Sequence, residues 1–187
     1  MKITILGQDP AFSNYGLALV EVDIITKEMT PLWISLIETK KATTKSVRVA
    51  SDKLARAREI TTEVRAAEAL CNIIAAEIPT GAQSAAASNA LGIALGIVAG
   101  HTKPLIEVTA AEVKKAATGY SDASKADMIQ WAYDQWPDLQ WPKGNGKGSL
   151  PIAAKGEHMA DALAIVHAAI RTPMFDNLAA AMKALAA

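Results

Sequence analysis

The spacing of apolar and polar positions changes several times along this chain, and each change marks an element. Lys2-Ile3-Thr4-Ile5-Leu6 is a short apolar run with a β-branched bias, bounded by Gly7, which predicts a strand. Gln8-Asp9-Pro10 ends it, because Asp-Pro is turn chemistry and proline cannot extend a central ladder. Asp9 is thus presented at the open end of a strand expected to be buried and central. After a loop over Ala11–Tyr15, Gly16–Val22 predicts a second strand and Leu32–Ile37 a third. Their short connections predict an antiparallel meander.

A helical period follows, with Ala57, Ile60, Val64, Ala67 and Cys71 at helix spacing. Cys71–Ala76 predicts a fourth strand ending at Glu77-Ile78-Pro79, which repeats the order of the opening: apolar strand, carboxylate, proline. Ala82–Gly100 predicts a small-residue helix with Leu91, Leu95 and Val98 on one face, able to pack closely against a sheet or a second copy of the chain. Pro104–Val108 is a fifth strand. Thr109 caps a helix from Ala110, with Glu112 completing a capping box and Lys114 and Lys115 on the helix. A turn over Tyr120–Ala123 leads to a helix from about Ser124 to Trp136. Asp138–Gly156 has no period. Within it, Gly146-Lys147-Gly148-Ser149 lacks the Gly-Lys-Ser/Thr order of a phosphate loop and reads as a surface loop. Glu157–Arg171 is the last large helix, with Met159, Leu163, Val166 and Ile170 turned inward and Pro173 stopping it; Leu178–Leu185 is a final alanine-rich helix whose position the pattern does not assign.

The 187 residues suit a single domain spanning 1–187, and 51% hydrophobic against 20% charged residues is a globular balance. The formal net charge of +0 excludes bulk basicity as a route to nucleic acid and leaves only local patches. One such patch exists: Lys40, Lys41, Lys45, Arg48, Lys53, Arg56 and Arg58 are opposed only by Asp52 before Glu59. It reads either as a solvated helix face or as a phosphate-contacting stripe. With Cys71 the only cysteine, no disulfide can form within the chain, and no stretch resembles a signal peptide or a membrane span. A cytoplasmic protein without a membrane partner is expected. Trp131, Trp136 and Trp141 are expected to pack against the sheet or a dimer partner rather than stack on bases.

Candidate chemistry lies at the element ends. Asp9 closes strand one, Glu77 closes strand four, and His158 and Asp161 share a face in the first turn of the late helix. If strands one and four are parallel neighbours, a helix laid across their ends would deliver Asp161 to both carboxylates. Each residue alone has an ordinary explanation, as a turn acid, a strand-end acid or a complement to the helix dipole. Together, clustered carboxylates need a cation to stay ionised, and an oxygen-rich site suits Mg²⁺ or Mn²⁺. Two such ions roughly 3.5–4 Å apart can clamp both oxygens of a phosphodiester displacement.

Four segments in order resemble the RuvC family of Holliday-junction resolvases. They are Leu6-Gly7-Gln8-Asp9-Pro10 with Gly16, Ala76-Glu77 with the helix through Gly92 and Gly96, Val113-Lys114 with Gly119 and Lys125, and His158-Met159-Ala160-Asp161-Ala162-Leu163-Ala164. The resemblance implies an RNase H-like α/β fold, a five-stranded mixed sheet of three antiparallel then two parallel strands with helices on both faces. It also implies a homodimer that binds a four-way DNA junction and cuts two strands with divalent metal. Carried over, Asp9, Glu77, His158 and Asp161 would be metal ligands, and Lys114 and Lys125 would contact DNA or stabilise charge at the scissile phosphate. Ala11-Phe12 stands where the family has Gly or Ser, His158 stands at an acidic position, and Ile78–Gln83 lacks an aromatic wedge. An RNase H-like nuclease for flaps, hybrids or other branched nucleic acids, and a non-catalytic junction-binding protein, are the alternatives.

Overall fold

A computed structural model describes residues 1–44, 46–79, 81, 83–144 and 151–186, so Lys45, Ala82 and the Gly146–Ser149 stretch lie outside the described residues. Five strands form one mixed sheet in the order β3-β2-β1-β4-β5. β1 (Lys2–Asp9) pairs antiparallel with β2 (Asn14–Asp23), and β2 pairs antiparallel with β3 (Met29–Glu38). β4 (Ile73–Glu77) joins the other edge of β1 in parallel, and β5 (Leu105–Val108) continues in parallel. This is the expected three-plus-two sheet. β1 carries apolar side chains on both faces because both are covered: Ile3 and Ile5 enter one core cluster, Leu6 the other. β4 starts two residues later than its apolar run suggests. Cys71 folds back on the preceding helix through its N–H to the Glu68 carbonyl, and the Asn72 side chain accepts from the Thr4 N–H at 2.8 Å.

On one face lie α1 (Val49–Glu68) and α2 (Ala85–Ala99), closing a cluster built on Leu6, Tyr15, Leu17, Ile60, Val64 and Ile74. The face α2 turns inward is not the Leu91/Leu95 stripe. Ala94 and Val98 are the buried residues, Ala90, Ile93 and Ile97 pack on the cluster, and Leu91 and Leu95 are only half-buried. The opposite face carries α3 (Ala110–Thr118), α4 (Lys125–Gln135) and α5 (Glu157–Ala169). Thr109 and Glu112 form the expected capping box on α3, and Ser124 and Asp127 form a second one on α4.

α5 is buried nearly all round, because the sheet covers one side and α3 and α4 the other; Ala160, Ala162 and Ala164 go in with Met159, Leu163 and Val166. Its alanines let the helix approach the strands closely. Trp131 packs edge-on against Trp136 and His167, and Trp141 donates its indole N–H to the Trp136 carbonyl at 2.9 Å, so these rings serve the packing of this layer. Pro173 does more than end a helix. It opens α6 (Pro173–Ala186) at the position where its missing N–H costs nothing, and the Thr172 hydroxyl accepts from the Phe175 N–H at 3.2 Å. Phe175 is fully buried, and Lys27 lies over its ring while pairing with Asp176 at 2.7 Å. That fixes α6 at the β2–β3 turn, the end of the sheet away from Asp9. Among the described residues no helix is long and apolar enough to cross a membrane.

Candidate active site

Gln8 and Ala76 are register partners in the parallel β1–β4 pair, so the next residues, Asp9 and Glu77, end the two strands side by side. Strand alternation aims both toward α5, the face on which Gly7 and Ala75 also lie. α5 reaches that face because two strand positions carry no side chain. A Cβ on Gly7 would stand 2.7 Å from Val166 Cγ2, and one on Gly16 would stand 2.6 Å from the His158 carbonyl carbon. Contact this close lays the first turn of α5, with His158 and Asp161, over the strand ends. The sheet pairing supplies two acids and the glycine contacts supply the other two groups.

His158 Nδ1 lies 2.6 Å from Asp9 Oδ2, across 149 residues of sequence. An ionised carboxylate only accepts, so Nδ1–H is the donor and Nε2 is turned away, 3.6 Å from Glu157 Oε1. Burial alone would lower the His158 pKa, but the hydrogen bond to Asp9 and the charges of Asp9, Glu157 and Asp161 outweigh it and raise it above its ordinary value. Burial pushes the Glu77 carboxyl up to about 7, Asp9 adds to the rise, and the half-buried Lys114 on α3 opposes it. Asp161 is likewise pushed up to about 7, by burial first and then by Asp9 and Glu77, with His158 opposing. Lys125, at the start of α4, donates to Glu157 Oε1 at 2.7 Å; that bond raises its pKa, and the charges of Asp161 and Asp9 add to the rise.

All six side chains singled out from the sequence therefore fall within one electrostatic neighbourhood. Among the described residues no three His, Cys, Asp or Glu side chains already converge on a single cation-sized point. The donors are nonetheless three carboxylates and one imidazole in a place that penalises uncompensated negative charge, and that set fits a hard divalent cation.

Three features of the neighbourhood go beyond the sequence-based expectation. Glu157 joins it as a fourth carboxylate. Beneath the site, on the α1/α2 face, runs a buried polar chain. The Tyr15 hydroxyl donates to Gln8 Oε1 at 2.7 Å, the Gln8 amide meets His101 Nε2 at 2.9 Å, and His101 Nδ1 meets Glu68 Oε2 at 2.9 Å. Burial would raise the Glu68 carboxyl, but bonds from His101 and from the N–H and hydroxyl of Thr102 hold it down at about 2. Gln8 is fully buried one residue before Asp9, and a polar side chain inside an apolar strand was the available signal. The third feature is Arg56. Its guanidinium lies 4.2 Å over the Phe12 ring and donates to Ser13 Oγ and Thr39 Oγ1, both at 3.0 Å. It thereby holds the turn after Asp9.

The architecture has counterparts among solved structures. Thermus thermophilus RuvC in complex with a Holliday junction substrate is 22% identical, with 89% of this chain and 92% of that chain covered and a TM-score of 0.59. Another T. thermophilus RuvC structure gives 21% identity, the same coverage and the same TM-score. The fowlpox virus resolvase in complex with Holliday junction DNA is 12% identical, covers 87% of this chain and 93% of that chain, and gives a TM-score of 0.54. The chain thus has the RNase H-like fold of RuvC and poxvirus resolvases. No family profile and no curated protein sequence matches it.

Proposed function

We propose that this protein is a metal-dependent, structure-selective endonuclease that resolves four-way DNA junctions as a homodimer. The observation that carries the reading is the meeting of Asp9, Glu77, Asp161 and His158 at one end of the parallel strand pair, with Lys114 and Lys125 beside them. The junction complexes solved for the two structural counterparts support the choice of substrate. Asp9, Glu77, Asp161 and His158 would hold Mg²⁺ or Mn²⁺, two ions in the fully loaded site. When bound, the metal supplies Lewis-acid stabilisation of the phosphoryl oxygens and an activated water. Asp9 holds the His158 ring through Nδ1–H, which leaves Nε2 as the one nitrogen that would either take a metal or orient the attacking water. Lys114 and Lys125 neutralise the phosphate from the α3 and α4 side. A metal-dependent cleavage assay on a synthetic four-way junction, beside a flap, an RNA–DNA hybrid and a linear duplex, tests the reading. Junction-preferring cleavage is expected; equal cutting of all four would favour a general RNase H-like nuclease, and no metal-stimulated cutting a non-catalytic binding protein.

The pKa shifts give a test that needs no substrate. Glu77 and Asp161 bind protons more tightly folded, at about 7, than at their ordinary 4.5 and 3.8, so ionising them opposes folding. Their contribution is best below pH 4 and is lost as pH rises to about 7. Glu68, held at about 2, slopes the other way only below its ordinary 4.5; His167, lowered by burial to about 4, also opposes them up to its ordinary 6.5, but it is one group against two. Between pH 5 and 8 the Tm of chelator-treated protein is therefore expected to fall, and added Mg²⁺ or Mn²⁺ to raise Tm more at pH 8 than at pH 5. An equal metal effect at both pH values would contradict the proposed ligand set.

The basic stripe is proposed as the DNA backbone contact, in reduced form. Lys40, Lys41, Arg48 and Arg58 are exposed, whereas Arg56 is spent on the Phe12 turn and Lys53 donates to Asn89 at 2.6 Å. Replacing the four exposed cations with glutamine should weaken binding similarly for all DNA sequences and flatten the salt slope by roughly 0.9 for each phosphate that is no longer neutralised. An unchanged slope would make the stripe a solvated face.

A further inference from the structure

The carboxylate that begins α5 is already engaged. Glu157 Oε1 accepts from Lys125 Nζ at 2.7 Å and stands 3.6 Å from His158 Nε2, on the side of the ring away from Asp9. One oxygen of this chain therefore occupies the space between the two groups that the proposed reaction directs at a phosphate. The pair is unequal: the Glu157 side chain is 15% exposed and Lys125 80% exposed. A lysine that open gives an ion pair that is cheap to break. A phosphate oxygen offers the ammonium the same kind of charge-assisted acceptor, but it cannot settle beside an unmoved carboxylate without strong like-charge repulsion.

We propose that Glu157 is an internal phosphate surrogate. In the DNA-free protein its carboxylate holds Lys125 and faces His158 Nε2, and a backbone phosphate of the junction takes that place when DNA binds. The inference rests on the nuclease reading and adds to it a residue that competes with substrate. Glu157 keeps the exposed lysine gathered at the site before DNA arrives, and it sets a penalty that a weakly binding anion does not overcome.

The test is junction binding in chelator-containing buffer, read by fluorescence anisotropy over a salt series, with wild type, Glu157→Gln, Lys125→Met and the double variant. Glutamine keeps an acceptor oxygen at the start of α5 and removes the charge. Glu157→Gln is expected to bind about three- to tenfold tighter at each salt concentration, because Lys125 no longer has to leave a carboxylate to meet the phosphate. That gain should disappear when Lys125 is methionine. Unchanged or weaker binding by Glu157→Gln overturns the inference, and so does an equal gain with and without Lys125, which would reflect only a general loss of negative charge. If Glu157→Gln is poorly folded, Glu157→Ala, which removes both the charge and the acceptor, should also tighten binding; failure of both in folded protein counts against the surrogate. Absence of junction binding by wild type would overturn the nuclease reading along with it, whereas wild-type binding that ignores Glu157 overturns the surrogate alone.

Discussion

Asp9→Asn is expected to reduce junction cleavage by about a thousandfold or more while leaving junction binding intact or slightly tighter. Asp9 is the carboxylate to which the rest of the site is coupled. It accepts from His158 at 2.6 Å, and it is the largest charge raising both Glu77 and Asp161. Asparagine keeps the shape and removes the charge, so a metal ligand is lost and His158 loses its ionic anchor. The same change relieves its neighbours: without Asp9 the two acids should titrate closer to their ordinary values, and the metal-free variant should melt at a higher temperature than wild type above pH 7. Cleavage at the wild-type rate would refute the catalytic assignment. A melting temperature unmoved by the substitution would mean that the carboxylates are not coupled.

The second large effect is structural. Gly16→Ala should cost about 3 kcal/mol or more, at the severe end for overpacking, because the added methyl meets the backbone of His158 rather than a movable side-chain tip. Chemical denaturation measures the destabilisation. In whatever fraction folds, α5 must shift off β2 and carry His158 and Asp161 with it, so cleavage should fall further than the folded fraction does. Gly7→Ala should behave alike, since its methyl would meet the Ala162 carbonyl and Val166. Gly92→Ala is the control: among the described residues nothing outside its own helix lies within 4 Å of the added atom, and alanine favours the helix. A Gly16→Ala protein as stable and active as wild type would show that the close approach of α5 does not set the site.

These two glycines mark where reading the sequence stops. Gly7 is visible as the end of an apolar run and Gly16 as the start of the next, yet nothing local says that one helix, more than 140 residues away, must rest on both. The α5 pattern likewise predicts one apolar stripe, whereas the alanines between the large residues are buried as well, because a second helical layer covers the outer side. Arg56 belongs to a run of cations that composition alone assigns to a single role. Its use on Phe12, Ser13 and Thr39 follows from a loop folding back over α1, and only packing brings those groups together.

Local spacing is enough to specify the three-strand meander, the two acid-ended strands, the capped α3 and the shared face of His158 and Asp161. Each depends on residues a few positions apart, where backbone geometry fixes which side chains are neighbours. Only the packed chain puts β1 and β4 side by side, lays α5 across their ends, gives Lys125 to Glu157, and joins Gln8, His101 and Glu68 in a buried chain under Asp9. Those pairings join residues tens to more than a hundred positions apart. They are set by which surfaces fill one another's volume, a property of the whole fold that no local period encodes.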